Sequence, residues 1–152
     1  MTAKPENREL VSAALRLLSG RDMSRTEFAR KLSVKEFTSE EIELVAVWCQ
    51  AEGYLNEVRY AENASRRLGA KYGANRIAQT LRHKGVNDEE VATSIATLSD
   101  SEVARAQIIW SRKFRELPAN ATERAKQSRF LQTRGFSFDT IRHMYKVLSG
   151  NE

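Results

Sequence analysis

Cys49 is the single cysteine in a chain of 152 residues, so no internal disulfide can form and a reducing compartment fits. Histidine is nearly as scarce. His83 and His143 are the only two, and neither has a histidine or cysteine four residues away, so a zinc site would lack ligands. No apolar run approaches the ~18 residues that span a bilayer. The opening stretch MTAKPENREL carries none of the apolar core a secretory signal needs. A cytoplasmic protein without membrane contact is expected. A Walker-type phosphate loop and a GxSxG elbow are also missing. Glu40, Glu41 and Glu43 crowd together, but Glu41 suits a capping role and its neighbours suit the positive end of a helix dipole. No enzyme, metal site or cofactor is therefore expected. Pro5 and Pro118 are the only prolines, and nothing alternates with period two for long enough to make a strand. Helices remain.

What is present is a repetition. Residues 81 to 95, LRHKGVNDEEVATSI, return at 131 to 145 as LQTRGFSFDTIRHMY. Leu81, Gly85, Val86, Val91 and Ile95 match Leu131, Gly135, Phe136, Ile141 and Tyr145, and position 98, like position 148, is leucine. In the earlier copy Ile77, Ala78 and Leu81 form a helical stripe that Gly85 closes. Asn87 and Glu90 then start a new helix as cap and capping box, with Val86 and Val91 as hydrophobic staple. Ser137 caps the later copy, where Phe136 and Ile141 are the staple. A weaker copy lies 49 residues upstream, with Phe28, Leu32, Phe37 and Ile42 apolar and Thr38 and Glu41 as capping box. Glu36 stands there in place of the glycine, so a differently built turn is expected.

A further helix precedes each pair. The segments around Leu10, Ala14, Leu17 and Leu18, around Val58, Ala61 and Leu68, and around Val103, Ala106, Ile109 and Trp110 supply these. The expectation is all-α: three tandem three-helix repeats at residues 1–52, 53–98 and 99–152, in an elongated modular arrangement. A unit of ~50 residues is marginal alone, so neighbours should pack. Trp48 and Trp110 are expected in cores, and Cys49, at the position of Leu98 and Leu148, is expected as a small buried hydrophobe.

Charge is graded along these units. Lys and Arg number 8 against 9 Asp and Glu in the first, 7 against 5 in the second and 10 against 6 in the third. The middle helices concentrate this on one stripe. Arg76, Gln79 and His83 point away from Leu81, Lys126, Arg129 and Thr133 are their later equivalents, and the first unit has Glu27, Arg30 and Val34. Arg66, Arg67 and Lys71 close the first helix of unit two, and Arg112, Lys113 and Arg115 close that of unit three. Such cations also complement a helix C-terminus. A basic face for a polyanion or an acidic protein groove is expected from Arg66, Arg67, Lys71, Arg76, Arg112, Lys113, Lys126 and Arg129.

GYLNEVRYAENASRRL, at residues 53 to 68, resembles the signature of the RecX family, and RIAQTLRHKGV and RFLQTRGFSFDTI resemble its second and third repeat signatures. The similarity runs over about residues 10 to 149. Asn56 replaces the family's commoner aspartate, a cap-compatible change. The resemblance implies a monomeric regulator of the RecA recombinase that lies in the groove of the RecA–DNA filament and usually opposes filament growth and strand exchange. It also leaves room for direct contact with single- or double-stranded DNA, and implies no catalytic residues. Two other classes compete. Residues 23 to 49 can be drawn as a helix-turn-helix with residues 39 to 52 as recognition helix, although that helix would lead with Glu40, Glu41 and Glu43, poorly placed beside phosphates. A helical scaffold for an unrelated protein is the other.

Overall fold

The computed structural model describes residues 2–150 and, among them, nine α-helices and no strand. They are α1 (Arg8–Gly20), α2 (Arg25–Ser33), α3 (Ser39–Ala51), α4 (Glu57–Gly69), α5 (Ala74–His83), α6 (Asp88–Leu98), α7 (Glu102–Lys113), α8 (Ala121–Thr133) and α9 (Phe138–Leu148). A short 3-10 turn, Ser99–Ser101, joins α6 to α7. Side chains at the helix starts explain the boundaries. Asn7, Ser24, Asn56, Asn87, Asn120 and Ser137 each accept hydrogen bonds from first-turn amides, and Thr38 with Glu41 completes a reciprocal capping box. Asn87 makes its half of the expected box, while its amide turns to Glu57.

Three separate cores follow from the stripes. Leu10, Ala14, Phe28, Leu32, Val45, Trp48 and Cys49 fill the first. Tyr60, Ala61, Ile77, Leu81, Val86 and Val91 fill the second, and Ala106, Trp110, Leu131, Phe136, Ile141, Met144 and Tyr145 the third. Both tryptophans and Cys49 are buried as expected, and burial pushes the Cys49 thiol up to about 11. Val58 departs from its expected stripe and is exposed, because Tyr60 and Ala64 turn inward instead. Gln127 is a buried polar residue on the inner side of α8. Its amide oxygen accepts from Trp110 Nε1 at 2.8 Å and from the Tyr145 hydroxyl at 2.9 Å, so the aromatic core of unit three keeps its polar ends paired.

The turn after each middle helix is the same in all three units, contrary to the expectation for the first. Glu36, Gly85 and Gly135 all take left-handed backbone, with φ of 66°, 85° and 98°. The difference lies in what stands against the turn. A Cβ on Gly135 would come within 2.4 Å of Arg76 Cβ and 2.5 Å of its backbone nitrogen, and one on Gly85 would meet Thr26 at 2.2 Å. Both clashes involve the first turn of the preceding unit's middle helix. Among the described residues no unit stands against the turn at Glu36, which is exposed and keeps its side chain.

Those contacts are the joints of the molecule. At the second joint, the Gly73 N–H donates to the Arg134 carbonyl at 2.8 Å and the Asn75 N–H to the Gly135 carbonyl at 3.0 Å. At the first, the Ser24 hydroxyl donates to the Lys84 carbonyl. Each joint also has a glutamate cap from the next unit's first helix. Glu57 accepts from the Arg25 N–H at 3.2 Å, and Glu102 from the Ala74 N–H at 3.0 Å. The middle helices therefore meet head to tail, with the positive end of one dipole on the negative end of the next. Arg105 braces the second joint through the Gly69 and Tyr72 carbonyls at 3.0 and 2.8 Å.

Extensive helix packing stays within each unit, and hydrogen bonds between units join only neighbours. The exposed surface is 9695 Å², against roughly 7,800 Å² expected of a compact monomer of this mass. Serial units account for the excess. Gly135→Ala should lower stability by about 2–4 kcal/mol, because a left-handed alanine and a backbone clash coincide. Gly53→Ala, equally left-handed but facing open space, should cost only about 1 kcal/mol. Urea denaturation of both variants measures the difference, which belongs to the joint.

Candidate functional site

Each joint leaves a cleft on one side, and the two clefts occupy equivalent places. The first, about 390 Å³, is lined by Arg21, Asp22, Tyr60, Asn63, Ala64, Arg67 and Lys84. The second, about 270 Å³, is lined by Ala70, Lys71, Ile109, Arg112, Lys113, Phe130 and Arg134. Arg67 and Arg112 both come from the last turn of a first helix, and Lys84 and Arg134 both follow a middle helix directly. Glu57 and Glu102, the paired caps, set the register of α7 on α4. The loop around Pro118 absorbs the five residues by which that register differs from the fifty-residue period of the later helices.

Their electrostatics differ. In the first cleft, Arg21 pairs with Glu27 at 2.5 Å and Arg59 with Asp22 at 2.7 Å. Hydrogen bonding to Arg21 holds the Glu27 carboxyl below its usual range, and Arg59 does the same for Asp22. In the second cleft Lys71, Arg112, Lys113 and Arg134 gather with no carboxylate in the lining and, among the described residues, no ion pair. Lys113 Nζ lies 5.5 Å from the Phe130 ring centre and the Arg134 guanidinium 5.2 Å, so aromatic contact holds both cations in place.

All eight residues expected on the basic face are exposed, yet they are not equivalent. Arg67 and Lys71 are one helical turn apart and connect the two clefts. Arg112 and Lys113 form a wall of the second. Lys126 lies one turn before Phe130 on α8, on the same side, with Arg129 beside it. Arg66 stands outside the clefts, near Asn63. Arg76 departs from the expected free stripe. It stacks on Tyr72 at 4.6 Å, donates to the Thr133 carbonyl at 3.3 Å and packs against Gly135, so it is a joint residue. Glu27 departs as well. It is 7% exposed and tied to Arg21 rather than standing on the solvent stripe.

Several residues lay beyond the reach of helical-wheel reasoning. Phe130 and Arg134 enter the second cleft only because a joint forms there. Arg124, Arg142 and Lys146 line a further cleft with Leu117 and Pro118 at the outer end of unit three. The α3 face drawn above as a recognition helix carries exposed Glu40, and its Glu43 is engaged by Arg25.

Family models for the first, second and third three-helix domains of RecX match residues 12–47, 56–95 and 100–144. The chain belongs to the RecX family. It is 38% identical over 138 residues to the regulatory protein RecX of Leptothrix cholodnii, covering 91% of this chain and 88% of that one. To the regulatory protein RecX of Herbaspirillum seropedicae it is 39% identical over 138 residues, with 91% and 90% covered. The crystal structure of RecX from Lactobacillus salivarius shares the fold, with a TM-score of 0.84 at 22% identity over 93% of this chain and 95% of that one. A second RecX crystal structure superposes with a TM-score of 0.79 at 19% identity, covering 91% and 70%. RecX proteins are regulators, and this RecX chain has, among its described residues, no helix long and apolar enough to cross a membrane.

The Arg21–Glu27 pair gives unit one, beside the first joint, a pH dependence whose sign is fixed. The folded carboxyl titrates below its unfolded value of about 4.3, so its contribution is complete above that pH and is lost as pH falls through the depressed folded value. Glu27→Gln should therefore cost about 2 kcal/mol at pH 7 and progressively less in acid. Urea denaturation of parent and variant at pH 7 and at pH 3 checks this narrowing.

Proposed function

We propose that this chain regulates the RecA recombinase by binding along the RecA–DNA filament as a monomer, and that it opposes filament growth, ATP hydrolysis and strand exchange. The observation that carries this reading is family membership across all three units. Its surface is in keeping. A serial row of units suits a long groove better than a closed pocket does, and the cations run from Arg66 and Arg67 through Lys71 to Arg112, Lys113, Lys126 and Arg129. Direct contact with the filament's DNA belongs to the same proposal. In that picture the protein acts by occupancy and turns over nothing itself, and it works in the cytoplasm, where RecA and its DNA are.

Following ATP hydrolysis by RecA on single-stranded DNA tests the proposal. Adding the chain should lower the rate in proportion to its amount, and an unchanged rate would reject it. The double reversal Lys126→Glu with Arg129→Glu should remain folded, since neither side chain is packed, at a cost of no more than about 0.5 kcal/mol each. It should weaken filament binding at least tenfold at low salt, with a gap that closes as salt rises. Arg76→Glu does not serve for this purpose, because it would unseat the second joint.

A further inference from the structure

We propose that the second joint cleft is a seat for the phosphodiester backbone of single-stranded nucleic acid, while the equivalent first cleft is a structural joint only. The inference deepens the filament reading by placing direct nucleic-acid contact at one of two homologous sites. It starts from their inequality. Both clefts arise from the same docking of one unit on the next, yet the first has the carboxylate Asp22 in its lining and Glu27 paired with Arg21, which leaves Arg67 and Lys84 as its lining cations without an ion pair. The second holds Lys71, Arg112, Lys113 and Arg134 without an acidic lining residue. Four like charges around about 270 Å³ repel one another, and an anionic ligand relieves that repulsion.

The chemistry of the ligand follows from the shape. The cations do not converge on one point but run along α8, where Lys126, Phe130 and Arg134 are spaced four residues apart, about 12 Å from first to last. Arg112 and Lys113 flank this line, and Lys71 continues it across the joint. A single carboxylate would answer one or two of these charges, whereas a polyanion answers the row. The two arginines offer planar forks suited to phosphate oxygens. Ile109 and Phe130 form an apolar floor, which the sugar and base portions of a strand can cover. Single-stranded nucleic acid combines these features, and an acidic protein segment lacks the apolar part at regular spacing.

The cleft walls belong to two units: Lys71 follows α4, whereas Arg112, Lys113 and Phe130 come from α7 and α8. A bound strand would thus hold units two and three together. Binding should raise the thermal midpoint of the parent protein, since a ligand that binds only the folded state stabilises it.

The test needs no RecA, which separates it from the filament proposal. Affinity for a fluorescent oligothymidylate is measured by anisotropy over a range of salt for the parent, for Lys71→Gln with Arg112→Gln, and for Lys84→Gln in the first cleft. Unfolding curves confirm that each variant is folded. The double variant should lose at least tenfold in affinity at low salt. Its slope of log affinity against log salt should flatten by about 1.4, which corresponds to two lost contacts at about 0.7 each on a single strand. Lys84→Gln should stay within about twofold of the parent, in line with its place at the compensated joint. Polyglutamate of matched charge should compete poorly, and tripolyphosphate, which lacks sugar and base, only weakly. Parent-like affinity and slope in the double variant would overturn the proposal. So would an equal loss in Lys84→Gln, or competition by polyglutamate as strong as by unlabelled oligothymidylate, which would assign the cleft to an acidic protein segment.

Discussion

The rest of the structure depends on the first turn of one middle helix sitting on the left-handed turn that ends the next. Helix starts leave amides unpaired and helix ends leave carbonyls unpaired. Here the two deficits meet. Gly73 and Asn75 donate to the carbonyls of Arg134 and Gly135, and Glu57 and Glu102 reach back to cap the remaining amides. Close approach is possible only where the turn has no side chain, which is why Gly85 and Gly135 are glycine while Glu36, with the same backbone, is not. One contact geometry, used twice, converts three marginal cores into one molecule.

The ends of the row follow from the same geometry. Unit one offers a turn with Glu36 in it, so a further unit cannot dock there as units one and two dock on their successors. At the other end, Asn120 and Glu123 satisfy the start of α8 from within their own segment, at 2.9 and 2.8 Å. Repeat arrays need terminal units whose outer faces do not recruit another copy. Among the described residues, neither end of the row therefore presents this joint to a further unit.

Much of this was legible in the sequence because helix ends are written locally. Capping residues, the staple pairs and the fifty-residue period gave the helices and the three cores, and the buried tryptophans and Cys49 followed from the stripes. The joints were less legible. Register between units is set by contacts across residues such as Gly73 and Gly135, which no local pattern announces, so Arg76 passed for a free cation and Glu27 for a solvent-facing one. Glu36 suggested a different turn because glycine was assigned to backbone conformation alone, whereas crowding by the neighbouring unit is the stronger reason. The basic face was visible as composition, but the inequality of the two clefts needed Glu27 and Asp22 placed in space.

The regulation by occupancy proposed above asks that the units hold a defined spacing, and the joints supply it. Amide hydrogen exchange of Gly73, Ala74 and Asn75, followed by NMR, tests this most directly. First-turn amides without such partners, at Phe138 and Asp139, give the reference within the same protein. The joint amides should exchange on the order of a hundredfold more slowly than these, since opening them requires separating two units. Exchange as fast as at Phe138 and Asp139 would mean that the middle helices do not dock head to tail in solution, and the account of the joints would be wrong.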